Sequence, residues 1–125
     1  MLFSNNATIN SASKEANDLV INATSGSVSF NANIGAIQSL GKLTIERADT
    51  GVTFGETDAK LSHGTTGPVT LINTDDAIEV GSLTAIGGIV LNGGTAPLTI
   101  NTTDDNVTFN GTLTLKSDVR VDTGA

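Results

Sequence analysis

Residues 67–80, GPVTLINTDDAIEV, return further along the chain as APLTINTTDDNVTF at 96–109. The likeness extends backwards as well. Leu19 and Ile21 precede Val28 and Phe30; Leu43 and Ile45 precede Val52 and Phe54; Val69 and Leu71 precede Ile78 and Val80; Leu98 and Ile100 precede Val107 and Phe109. In all four copies the apolar residues occupy relative positions 0, 2, 9 and 11. The copies begin at Leu19, Leu43, Val69 and Leu98, so the step from one to the next lengthens along the chain. A frame kept without gaps while the spacer drifts constrains the fold more than any other feature of this chain.

Apolar residues at every second position describe a strand with one buried face, so each copy holds two short strands. The segments between them, NATSGS, ERADTG, INTDDA and NTTDDN, are rich in the residues that bend a chain through side-chain hydrogen bonds or positive φ. A looser third apolar site follows in each spacer, at Ile34, Leu61, Leu83 and Leu113. β-Branched residues abound and no long stretch repeats with helical spacing, which argues against helix.

A unit of so few residues cannot bury its apolar face alone, but stacked copies can share one interior. The expected fold is therefore all-β: a right-handed parallel β-helix, a three-faced β-solenoid of four to five rungs, with residues 1–125 as a single segment. At about 4.8 Å per rung it is a stub roughly 20 Å long. Repeats start near residues 19, 43, 69 and 98, and residues 1–17 form either a partial rung or an N-terminal cap. Strict superposition of the copies predicts one column of Leu19, Leu43, Val69 and Leu98 and another of Phe30, Phe54, Val80 and Phe109. It also places Leu71 over Ile45. The alternative is an antiparallel β-sandwich, which explains the alternation but not the fixed frame. With no polar cap seen at either end, the sequence reads as a piece of a longer array, with Met1 an added initiator, and end-to-end self-association is expected of open strand edges.

Composition removes several functions. The chain has no cysteine, hence no disulfide or thiol chemistry. Six basic against 13 acidic residues leave a net charge of −7, unsuited to nucleic acid or an anionic membrane. Nothing at the N-terminus resembles an export signal, and no apolar run reaches the roughly 20 residues of a membrane helix.

The segments GSVSFN from Gly26, GVTFG from Gly51, NVTFNG from Asn106, SDVRVDTGA from Ser117 and IGAIQSLGKLTI from Ile34 resemble the repeats of filamentous-haemagglutinin-like and autotransporter-type bacterial surface adhesins. The resemblance covers residues 18–125 and specifies a repeat class. It implies secretion, an extracellular or cell-surface location, and a long β-helical shaft serving cell adhesion or biofilm. The implied role is a non-catalytic shaft or spacer whose partners are neighbouring repeats of the same chain. The alternative is a module binding a host or surface glycan or protein, through an outer face or the loop around 87–96.

Sites for chemistry are sparse. Asp49, Asp75 and Asp104 share one corner slot of the frame, with Asp76 and Asp105 beside two of them and Ser25 in the first copy. A stacked carboxylate ladder could hold calcium, the one cofactor considered, although solvated turn residues are the simpler reading. Outward threonines suggest two more columns: Thr44, Thr70 and Thr99 continuing from Val20, and Ser29, Thr53 and Thr108 interrupted by Glu79. Such arrays can bind ice, but threonine also suits exposed strand positions. His63, the single histidine, neighbours Ser62, and adjacent strand residues face opposite ways, so they do not form a nucleophile–base pair. Polysaccharide cleavage would need carboxylates at a defined separation beside basic groups, and the only arginines are Arg47 and Arg120. The expectation is no enzyme. Glycine pairs at 87–88 and 93–94 lack a P-loop lysine, and Asn-x-Thr triplets at Asn6, Asn22, Asn101, Asn106 and Asn110 are expected by accident in so Asn- and Thr-rich a chain.

Overall fold

The computed structural model describes residues 1–4, 6–55, 69–83 and 86–124; Leu61, Ser62 and His63 lie outside them. Among the described residues twelve strands form: β1 (Leu2–Phe3), β2 (Leu19–Asn22), β3 (Ser27–Phe30), β4 (Leu43–Arg47), β5 (Gly51–Phe54), β6 (Leu71–Asn73), β7 (Ile78–Val80), β8 (Ile86–Leu91), β9 (Leu98–Asn101), β10 (Val107–Phe109), β11 (Gly111–Leu115) and β12 (Val119–Asp122). No helix occurs among the described residues. The strands assemble into three sheets: sheet I, β1-β3-β5-β8-β11; sheet II, β10-β7-β4-β2; sheet III, β12-β9-β6. Every pairing between these strands is parallel. Single parallel bridges from Ile9 to Ile34 and from Ile34 to Ile72 extend sheet III through the earlier rungs. The chain visits sheets II, I and III in turn, and the result is a three-faced β-solenoid of about four turns.

Sheet I shows why the interior is stable. Its inward column is Phe3, Phe30, Phe54, Leu91 and Leu115. Phe3 stacks on Phe30 with ring centroids 4.8 Å apart, and Phe30 on Phe54 at 4.9 Å, the planes within 4° and 3° of parallel. The rung spacing thus sets the stacking distance, and each such pair adds about 0.5–1.5 kcal/mol beyond the area it buries. Beside it runs Val28, Val52, Ile89 and Leu113. Sheet II contributes Leu19-Leu43-Ile78-Val107 and Ile21-Ile45-Val80-Phe109.

These columns correct the strict frame. The first two copies superpose as expected, Leu19 on Leu43, Ile21 on Ile45, Val28 on Val52 and Phe30 on Phe54. The third and fourth copies are displaced by one face. Of their second pairs, Ile78 and Val80 lie on Leu43 and Ile45 rather than on Val52 and Phe54, and Val107 and Phe109 lie in turn on Ile78 and Val80. Val80 therefore covers Ile45, and neither expected column survives past its second member. The cause is length: the path from Phe54 to its neighbour Leu91 is about half as long again as the path from Phe30 to Phe54. This rung is longer than the step from one copy of the motif to the next, so the third copy falls one face short of the expected sheet, and an alternating pair can seal any of the three.

Leu71 is a second correction. It is only partly buried, while Ile72 points inward and pairs with Ile100. Val69 is fully buried too, so the inward positions stand three apart, which no regular strand allows. The Asn33 carboxamide oxygen holds the irregularity, accepting from the backbone N–H of Thr70 at 2.9 Å and of Leu71 at 3.1 Å. The remaining core expectations place well: Ile21, Val28, Phe30, Leu43, Ile45, Val52, Phe54, Val69, Ile78, Val80, Leu98 and Ile100 are buried. Leu19, Val107 and Phe109, on outer rungs, are partly so. Leu83 is exposed, and Leu113 belongs to sheet I instead of stacking with Ile34.

Corners repeat their hydrogen bonds from rung to rung. After sheet I, Asn31 N–H donates to Phe3 O, Gly55 to Phe30 O, Asn92 to Phe54 O and Lys116 to Leu91 O, at 2.7–2.9 Å. Gly55 needs to be glycine: its φ is 87°, and a Cβ would overlap the Asn92 carbonyl. After sheet III, the buried hydroxyls of Thr74 and Thr102 each donate 2.6 Å bonds to the carbonyls of Asp76 and Asp105, closing the corner internally.

Candidate functional site

The outer side of sheet I is grooved. A shallow groove of about 450 Å³ crosses β3, β5, β8 and β11. Its floor is backbone. Ser27 is in register with Gly51, and the pairing of Val52 with Ile89 puts Gly88 on the next rung beside Gly51. Gly51 adopts φ 123°, and a Cβ on it would lie 2.9 Å from the Gly88 carbonyl oxygen. Side chains at these positions would both strain the backbone and fill the groove. The walls are Ser27 and Ser29 on one side and Thr112 and Thr114 on the other, with Thr53 between.

This surface offers hydroxyls and peptide groups but no charge. None of the residues lining the groove is ionisable or aromatic. It can exchange hydrogen bonds with a hydroxylated ligand, and its lining holds no ionisable side chain beside the hydroxyls. The expected threonine columns are rearranged by the one-face displacement. Ser29 and Thr53 do stack, continuing to Val90 and Thr114. Thr44 instead meets Glu79, which meets Thr108, while Thr99 pairs with Leu71. Hydroxyls therefore form no unbroken array on any face among the described residues.

The aspartate ladder is cut for the same reason. Asp49 stands at the corner between β4 and β5, whereas Asp75 and Asp76 precede β7 and Asp104 and Asp105 precede β10. The latter two corners adjoin, Thr103 N–H donating to Asp75 O at 3.2 Å, but Asp49 is on another edge of the prism. Its carboxylate is engaged by Arg47 at 2.8 and 2.6 Å. That hydrogen bond holds Asp49 below the usual carboxylate range and raises Arg47. Asp75 accepts from the Ser39 hydroxyl at 2.6 Å. Among the described residues no three His, Cys, Asp or Glu side chains gather where a metal ion could be held. Of the two arginines considered for polysaccharide cleavage, Arg120 pairs with Asp122 at 3.1 Å on the exposed surface of β12.

Ile89 and Leu91, which fill sheet I in the displaced rungs, and the glycine floor at Gly51 and Gly88 escaped the sequence reading. The first had a signal: Ile89 and Leu91 are themselves an alternating pair, standing ahead of Leu98 and Ile100 by the same step that separates the two pairs within each copy. Comparison with protein-family models, with curated proteins and with solved structures finds no match to this chain.

Proposed function

We propose that this chain is a non-catalytic shaft or spacer segment of a secreted bacterial surface adhesin or extracellular filament. One observation carries the reading: three parallel sheets run the length of the solenoid around an interior whose buried side chains include no ionisable group among the described residues. Such a rod has its hydrogen bonds along its axis, extends by adding rungs, and requires no ligand to be complete. The adhesin setting rests on the resemblance of the VTF and LTI segments alone.

A segment exchange tests it. In the parent surface protein, this segment is replaced by a β-solenoid of equal rung number and unrelated outer residues. A spacer predicts retained adhesion; loss of adhesion with normal surface display overturns the reading in favour of recognition by the segment itself. The uncharged glycine-floored groove on sheet I favours one second reading, a glycan-binding face. There the isolated chain would bind on a glycan array, and Gly88→Val would abolish the signal.

A further inference from the structure

We propose that Asn33 is a register pin: it holds residues 69–74 in one of two strand registers that seal the interior about equally well. It thereby decides whether Leu71 or Ile72 faces outward on sheet III.

This stretch has one residue more than its neighbour. On the adjoining rung Leu98, Ile100 and Thr102 are buried at every second position, as a regular strand requires. In residues 69–74 the buried side chains are Val69, Ile72 and Thr74, so the steps are three and then two. The extra residue between Val69 and Ile72 is a bulge. Moved past the middle seat, it would give steps of two and then three, with Leu71 inward in place of Ile72. Neither end need move. The Val69 N–H donates to Asn92 O at 3.2 Å, the Thr74 N–H to Asn101 O at 3.0 Å, and the Thr74 hydroxyl to Asp76 O at 2.6 Å.

Packing and the sheet ladder do not choose between these registers. A one-residue slip normally turns polar residues inward, but here it exchanges one aliphatic side chain for another of the same volume. The Ile34 N–H donates to Leu71 O at 3.0 Å and the Asn73 N–H to Ile34 O at 2.9 Å. After the slip these bonds pass to Thr70 O and the Ile72 N–H without loss of number.

Asn33 does choose. Its carboxamide oxygen accepts from the Thr70 N–H at 2.9 Å, the Leu71 N–H at 3.1 Å and the Thr70 hydroxyl at 3.3 Å. Successive N–H groups of a regular strand point to opposite edges, so one oxygen accepts from both only where the chain is bulged. That pair of bonds therefore belongs to the observed register alone, and an interaction made in one of two similar states sets their populations. On the outer face Leu71 pairs with Thr99, which pairs with Arg120, so the pin also fixes which apolar side chain stands in that row. The shaft reading needs stacked sheets but neither register in particular, so the two stand or fall separately.

Methyl NOE spectroscopy of the whole chain, labelled at isoleucine and leucine, reads the register directly. In the wild type Ile72 should show NOEs to Ile34 and Ile100, and Leu71 to neither. Asn33→Ala should bring Leu71 into contact with both, with Ile72 losing at least about half of its NOE intensity. Asn33→Asp keeps an acceptor oxygen and should retain the wild-type pattern. Melting supplies a second measurement: Ile72→Ala should lower the melting temperature at most about half as much in Asn33→Ala as in the wild type, because Leu71 can take the emptied seat. Unchanged Ile72 contacts in Asn33→Ala, Leu71 contacts in Asn33→Asp, or Ile72→Ala losses that add in full would each overturn the proposal. So would an Asn33→Ala chain that fails to fold, since Asn33 would then hold the sheet together rather than choose between two registers.

Discussion

Two adjacent rungs of sheet I carry nearly the same residues and fare differently. Ile89 and Leu91 on β8 are sealed, while Leu113 and Leu115 on β11, directly beside them in register, are substantially exposed. Side-chain chemistry matches and the two pairs are in register past an irregularity between Gly111 and Leu113; among the described residues the difference is the presence of a neighbour on both sides or on one. Burial in this fold belongs to the stack rather than to the strand. An inner rung is protected by its two neighbours, and a rung with one described neighbour leaves its apolar side chains partly exposed.

The strongest attempt to break this picture is Phe54→Asp. Phe54 is fully buried with Phe30 on one face and Leu91 in the next rung. A carboxylate there meets no ionisable group among the buried described residues, and the cost should exceed about 5 kcal/mol, enough to unfold a small domain. Circular dichroism should show no cooperative melt. A near-native melt would mean that the central column is not a shared interior.

A matched pair sharpens the comparison itself. Leu91→Ala should cost about 2–5 kcal/mol, the usual penalty for truncating a leucine enclosed on all sides. Leu115→Ala, measured by denaturant unfolding in dilute solution, should cost under about 1 kcal/mol, since half of that side chain already meets water. Equal effects would show that the two rungs are not distinguished by stacking.

The same logic applied within a single strand tests the displaced register. Ile72→Ala should cost about 2–4 kcal/mol and Leu71→Ala under about 1 kcal/mol, because Ile72 is enclosed and Leu71 is not. The strict repeat frame requires the reverse order, so the sign of the difference decides between them.

How far the sequence could be read follows from these residues. The fold class was legible because the alternation at Leu43 and Ile45, or Val107 and Phe109, records a buried face directly, and repetition of a unit too small to fold alone demands stacking. Which face each pair occupies was not legible. An apolar pair looks the same on all three sheets, and only the length of chain between Phe54 and Ile72 decides where the next one lands. Nor does Val69-Thr-Leu-Ile announce that its inward residues are the first and fourth; Asn33, far back in the chain from Thr70, fixes that from a neighbouring rung. The groove on sheet I was hidden for a related reason. Gly51 and Gly88 adjoin only in the stacked structure, and neither has a chemical signature of its own. The aspartate slot shows the converse. It was clear in the frame, and the displacement moved Asp49 to a different edge.

The smallest expected effect lies at that edge. Arg47 and Asp49 form a surface pair two positions apart, their side chains 42 and 36% exposed, on the corner between β4 and β5. The pair's charged groups lie outside the interior, so by the contrast between sealed and open positions it should matter little, and Asp49→Asn should lower the melting temperature by at most about 2 °C at neutral pH. Its pH dependence has a definite sign. The Asp49 carboxyl is held below its ordinary value in the folded chain, chiefly by the hydrogen bond from Arg47. The unfolded chain therefore takes up that proton first as pH falls, and the contribution of the pair is present above the ordinary carboxylate range and is lost as pH drops through the folded value. Melting curves of wild type and Asp49→Asn should accordingly converge under strongly acidic conditions and separate slightly on returning to neutrality. A separation that instead grows as the solution is acidified would assign the stabilisation to something other than the charged pair. A loss as large as that of Leu91→Ala would make this corner part of the core, which its exposure denies.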